Sequence, residues 1–204
     1  MTVGKQLLNE VHDKLVFRRR VKVLSTTMSE FLTSGSVLDV GTGDGLIASL
    51  IMNGRRDLSI EGVDVLKRPR THIPVLAFNG NELPFENDSF DCVMFVDVLH
   101  HADKPEKLLA EAVRVSKDSI VIKDHLLEGR FAGATLRLID WVGNRGHDVE
   151  LPYNYLTRSR WHHIFREANL KIEAFSDRLN LYPAPATWLF DRNLHFVARL
   201  TKNC

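Results

Sequence analysis

Asp39, Gly41, Gly43 and Gly45 stand together in the run Val37-Leu38-Asp39-Val40-Gly41-Thr42-Gly43-Asp44-Gly45-Leu46-Ile47-Ala48. An apolar strand ending in an acid, a glycine-rich turn and a helix start make the pattern of a nucleotide-type cofactor loop. Glycine lets such a loop turn sharply and approach a ligand closely. A dinucleotide fingerprint would space its glycines G-x-G-x-x-G and seat a pyrophosphate on the helix N-terminus. Here the third glycine's place is taken by Leu46, and the Asp39 carboxylate would repel a pyrophosphate. The same carboxylate suits a ligand carrying a cationic amine. A second acid, Asp64, closes the run Ile60-Glu61-Gly62-Val63-Asp64, where a carboxylate can accept both hydroxyls of a ribose. Taken singly, either acid would also suit a helix or turn cap.

Groups able to move a proton lie further along. The pairs His100-His101 and Asp124-His125 follow two apolar strand runs. An ordinary histidine titrates near 6.5 and can act as a base at neutral pH. Adjacent histidines also ligate metals, yet no cysteine or histidine partner stands at finger or catalytic-zinc spacing, so no metal site is read from the sequence. Cys92 lies in an apolar run and Cys204 at the chain end, which gives no disulfide framework and suits a reducing compartment.

The elements that must position these groups follow from periodicity. Leu8, Val11, Leu15, Val21, Leu24, Met28 and Phe31 recur at helical steps, predicting one or two amphipathic helices over residues 7–32. The basic run Arg18-Arg19-Arg20-Val21-Lys22 reads chiefly as a solvated helix face. Strands are predicted at 36–40, 58–63, 74–77, 90–96, 119–123, 171–176 and 194–200, and helices near 45–53, 104–115 and 158–168. That alternation is the signature of βαβ units and a parallel sheet. Pro69 leaves room for at most a brief helix before the third strand, and the connection through Tyr182-Pro183-Ala184-Pro185 shows no clear helix. Residues 124–157 interrupt the alternation and read as a lid or substrate-facing insertion, with Trp141, Gly143, Asn144, Arg145, His147, Asp148, Tyr153, Asn154 and Tyr155 as pocket or packing residues. His162 and His163 read as packing and surface residues of the following helix.

The glycine run resembles motif I of the class I S-adenosylmethionine (SAM) dependent methyltransferases, and the resemblance continues downstream. Phe78-Asn79-Gly80-Asn81-Glu82-Leu83-Pro84-Phe85 followed by Asp88-Ser89-Phe90-Asp91, then Phe95-Val96-Asp97-Val98-Leu99-His100-His101, are similar to the type 11 methyltransferase family, which includes relatives of ubiquinone and menaquinone methylating enzymes. The resemblance implies a Rossmann-like α/β fold: a mostly parallel seven-stranded sheet with an antiparallel terminal strand and helices on both faces. It implies SAM as cofactor, held by Asp39, Gly41, Thr42, Gly43, Gly45, Asp64, Val65, Asn79, Gly80, Asn81, Asp97 and Val98. Asn79 stands where the family usually has Asp; its amide oxygen would accept from the adenine amine more weakly than a carboxylate, while backbone N–H of Gly80 or Asn81 would reach the ring. His100, His101, Asp124 and His125 are the candidate catalytic groups. Arg114-Val115-Ser116-Lys117-Asp118-Ser119 lacks the family's Pro-Gly-Gly turn, so a differently built turn is expected there.

With 204 residues the chain is expected to form a single domain: a helical cap over 1–34, a cofactor-binding core over 35–123, the insertion over 124–157, and a final helix and strand pair over 158–204. A formal net charge of +1 speaks against a nucleic-acid partner, and no apolar stretch has membrane-spanning length. The expected protein is cytoplasmic, a monomer or homodimer, and transfers a methyl group to a small organic acceptor. An RNA or protein methyltransferase and a non-catalytic SAM-binding module are the alternatives.

Overall fold

A computed structural model describes residues 16–66, 68–144 and 153–203. The predicted positions Leu8, Val11, Leu15, Arg145, His147 and Asp148 lie outside them. Seven strands form one sheet: β1 Gly35–Val40, β2 Leu58–Asp64, β3 Val75–Ala77, β4 Phe90–Val96, β5 Ser116–His125, β6 Leu170–Ser176 and β7 His195–Lys202. Their order is β3-β2-β1-β4-β5-β7-β6. The pairs among β1 to β5 are parallel, and β7 runs antiparallel to both β5 and β6. The sheet expected from the resemblance is the sheet observed.

Helices cover both faces. We number them α1 Arg18–Phe31, α2 Leu46–Gly54, α3 Pro105–Val115, α4 Ala132–Asn144, α5 Arg158–Glu167 and α6 Thr187–Phe190. Leu24 and Met28 of α1, Ala48 and Ile51 of α2, and Leu136 and Ile139 of α4 pack with Val37, Ile60, Cys92, Met94 and Val121 of the sheet. On the opposite face, Leu108, Leu109 and Ala112 of α3 and Trp161, Ile164 and Phe165 of α5 pack with Leu38, Val63, Phe95, Ile122 and Phe196. The two clusters split consecutive strand residues because side chains alternate across a sheet. Strands buried on both faces therefore read as continuous apolar runs. Pro105 opens α3, where its missing N–H costs nothing, and the Thr157 hydroxyl accepts from Arg160 N at 3.3 Å to cap α5.

No helix separates β2 from β3 among the described residues, in keeping with Pro69. Three details depart from the sequence reading. No turn follows α3: β5 begins directly at Ser116, whose buried side chain continues the strand's inward pattern. Asp124 and His125 end β5 rather than opening the insertion, and α4 lies inside that insertion. The Pro-rich connection holds the four-residue helix α6.

Candidate active site

The parallel register brings the C-terminal ends of β1, β2, β4 and β5 to one edge, where open α/β sheets bind ligands. Val40 lies opposite Val63 and Phe95, and Val96 opposite Lys123. The glycine loop leaves β1 at this edge. Gly41 has φ of 72°, and a Cβ there would stand 2.6 Å from Val98 Cγ2, so only glycine lets the two loops meet. Gly43 also has positive φ, 63°, but a Cβ there would meet nothing within 4 Å. Its backbone borders open space, as a ligand-facing turn requires. Gly45 leads into α2.

Asp39 is buried, and its carboxylate accepts from the Thr42 hydroxyl at 2.5 Å. Burial pushes its pKa up to about 7, the Thr42 hydrogen bond opposes the rise, and the nearby Asp64 adds to it. A positive ligand group would reverse that cost. Asp64 braces the loop, accepting from Gly43 N and Leu66 N, both at 2.8 Å. One oxygen serves each bond, and a carboxylate oxygen has capacity for a second donor. Val65 beside it is 64% exposed, an apolar plate at the mouth of the site. Gly80 faces it closely, since a Cβ on Gly80 would lie 3.1 Å from Val65 Cγ1.

Asn79 braces its own loop. Its Oδ1 accepts from Asn81 N at 2.8 Å and Glu82 N at 2.9 Å. Both lone pairs of the amide oxygen are thereby engaged within the loop, and the Asn81 N–H is engaged with it. The Gly80 backbone is the part of this loop left facing Val65.

Around β4 and β5 the sheet edge holds a dense polar cluster. Asp97 has φ of 59° and takes ion pairs from Arg20 of α1 at 2.6 Å and from Lys123, whose side chain is completely buried. Burial works against the Asp97 charge, but Lys123 and Arg20 hold its carboxyl well below the usual range. His100 and Asp124 are buried and joined through Nδ1 and Oδ1 at 2.7 Å. Asp124 also accepts from Leu99 N at 3.1 Å and His125 N at 2.7 Å. Asp140 of α4 stands 3.3 Å from His100 Nε2 and accepts the Tyr155 hydroxyl. Tyr155 stacks over His100, and His125 lies edge-on to His100 with centroids 4.5 Å apart. His195 of β7 continues the row.

This geometry separates the four histidine and aspartate candidates. Burial alone would lower His100, but Asp124 and Asp140 more than reverse it, to about 10, which favours its charged form in the metal-free protein. Burial opposes the Asp124 charge too, yet His100 and its hydrogen bonds hold that carboxyl down. His125 is lowered by burial and then by charged His100. His101 is lowered to about 4 by burial and by His100, and its Nδ1 is buried without a hydrogen-bond partner among the described residues.

Lys123, Asp140 and His195 belong to this cluster and are not singled out by the sequence. Arg20 belongs to it too, although its run reads chiefly as a solvated helix face; three consecutive arginines on a helix cannot share one face, and this one turns inward. The insertion meets the site directly: Asn154 N donates to His100 O at 3.2 Å, and Asn154 Nδ2 to Ala102 O at 3.1 Å. Trp141 is 52% exposed, His162 is exposed, and His163 pairs with Glu167 at 3.2 Å.

The profile of a family described as a methyltransferase domain matches residues 12–174. The chain belongs to the methyltransferase-domain family. It is 29% identical over 168 residues to demethylmenaquinone methyltransferase of Renibacterium salmoninarum, covering 76% of this chain and 64% of that protein; it thus spans less than two thirds of that relative's length. Its fold matches a SAM-dependent methyltransferase of Thermotoga maritima described as a possible histamine N-methyltransferase, with a TM-score of 0.66, 19% identity and 97% of each chain covered. It also matches the 1,6-didemethyltoxoflavin-N1-methyltransferase of Burkholderia thailandensis, solved with 1,6-didemethyltoxoflavin and S-adenosylhomocysteine bound, with a TM-score of 0.63, 18% identity, and 98% and 83% of the chains covered. Solved SAM-dependent methyltransferases therefore share this chain's Rossmann-like architecture. Among the described residues no helix is long and apolar enough to cross a membrane.

Proposed function

We propose that this chain is a SAM-dependent methyltransferase acting on a small organic acceptor. The observation that carries the reading is the pairing of an open, positive-φ glycine turn with two buried strand-end carboxylates, Asp39 and Asp64. SAM, when bound, supplies an electrophilic methyl group on a sulfonium sulfur. Asp39 offers a buried negative charge to an ammonium, Asp64 accepts from ribose hydroxyls, and Val65 with the Gly80 backbone forms the adenine shelf. Val98, wedged against Gly41, fixes the glycine loop relative to β4.

In-line displacement asks mainly for orientation, since fixing two reactants in line replaces a bimolecular search. The polar cluster beyond Asp97 and Val98 stands on the acceptor side in this reading. His101, which is half-buried where His125 and His195 are fully buried, has a lowered pKa and an unpaired ring nitrogen, so it accepts a hydrogen bond from the acceptor and orients it. Tyr155 and Asn154, held against the turn carrying His100, form the roof that keeps water out. A small acceptor agrees with this enclosure and with the net charge of +1. Incubating the protein with methyl-labelled SAM and a panel of small hydroxyl, amine and acidic-carbon compounds tests the reading. Acceptor-dependent release of S-adenosylhomocysteine supports it, whereas labelling confined to added RNA or protein overturns the small-acceptor assignment.

A further inference from the structure

We infer that His100, His125 and Asp140 form a mononuclear site for a divalent transition-metal ion, with zinc(II) the best match to the ligand set. The three residues arrive from the turn after β4, the end of β5 and the middle of α4, so no local spacing in the sequence announces them. Each offers one ligand atom, and the three atoms lie within 4.8 Å of one another. All three side chains are buried.

The second observation is the state of the ring nitrogens. Nε2 of His125 is buried without a hydrogen-bond partner among the described residues, and Nε2 of His100 has the Asp140 carboxylate beside it. Buried polar atoms almost always have partners, so the open His125 nitrogen beside the His100–Asp140 pair calls for a ligand. The opposite nitrogens are supported. His100 Nδ1 lies 2.7 Å from Asp124 Oδ1, and His125 Nδ1 lies 3.4 Å from the same oxygen and 3.7 Å from Asp97 Oδ1. A carboxylate behind a histidine fixes its tautomer and ring plane and raises its basicity toward a metal. Asp140 Oδ2 stands 3.3 Å from His100 Nε2. That separation matches the roughly 3.3 Å expected between two tetrahedral ligands held about 2.0–2.1 Å from zinc.

Two imidazoles and one carboxylate suit zinc, as well as cobalt(II), iron(II) and manganese(II). Three protein ligands leave a position for water or for an acceptor oxygen; that last assignment rests on the methyl-transfer reading, whereas occupancy of the site does not.

The test uses the full chain, stripped by a chelator and titrated with cobalt(II) and zinc(II). We expect one equivalent per chain, four- or five-coordinate cobalt absorption, and a rise in Tm of roughly 5–10 °C at a hundredfold zinc excess over Kd. Asp140→Asn should weaken zinc at least tenfold, and Asp124→Asn about tenfold through His100. His163→Ala, which removes the surface histidine paired with Glu167, should leave binding unchanged. Cobalt absorption no different from the hydrated ion, or zinc bound by Asp140→Asn as tightly as by the wild type, overturns the site. Should a variant fail to fold by circular dichroism, the wild-type spectrum and Tm shift decide. Titration of the same stripped protein with S-adenosylhomocysteine reports the cofactor pocket separately, so loss of one reading leaves the other standing.

Discussion

Asp39 carries opposite demands from folding and binding. With its pKa raised to about 7 by burial, it contributes stability that is fully present below the unfolded carboxyl value and is lost as pH rises through about 7. Asp39→Asn keeps a side-chain oxygen for Thr42 and cannot ionise. Its Tm should exceed that of the wild type by a few degrees at pH 8, with the gap closing toward pH 5, as thermal melts across pH would show. In the proposed role the charged form is the one that binds, so wild-type SAM affinity should weaken by roughly fivefold between pH 7 and pH 6. Asp39→Asn should bind poorly at every pH. Calorimetry across that range checks both. The two acids and the glycines were legible because loop and ligand chemistry are local. The spacing of Asn79 was legible too, but the commitment of its Oδ1 to Asn81 and Glu82 arises from the loop's closed shape. Lys123 reads as one polar residue in an apolar strand, and nothing local says that Arg20 and Asp97 meet it.

At the level of elements, α1 acts as a cap whose inner face supplies both apolar packing and one cation. Leu24 and Met28 are buried, while Arg20 reaches Asp97. Arg20→Met keeps the stem and leaves Asp97 with Lys123 alone. It should destabilise the fold by about 1–3 kcal/mol, measured by urea unfolding; no change in the midpoint would mean that Lys123 suffices. β4 is the central strand of the sheet, with Cys92, Val93, Met94 and Phe95 all buried. Phe95→Ala should cost about 3–5 kcal/mol, and a shift under 1 kcal/mol would contradict the packing described. Strand positions were legible because each central strand is an apolar run of strand length. The long β5 was not, since Ser116, Lys117 and Asp118 look like a turn until Phe90 pairs with Ser116. The insertion was legible as an interruption, but the placing of Asp140 and Tyr155 over His100 depends on α4 crossing the sheet edge.

The molecule as a whole is a methyltransferase-domain fold in which the cations Arg20 and Lys123 are paired with Asp97. Its net charge of +1, with Arg20 turned inward, predicts weak RNA binding and no steep salt dependence, measurable by fluorescence anisotropy at two salt concentrations. Strand order was not readable from alternation alone, because the same βαβ units can be laid down in more than one sequence of neighbours; the family resemblance supplied it. The most direct measurement of the central claim is calorimetric titration of the wild-type chain with S-adenosylhomocysteine at pH 7.5, beside Asp39→Ala. The account predicts one site of micromolar affinity or better that the variant loses. No binding by the folded wild-type chain, or equal binding by the variant, would contradict it.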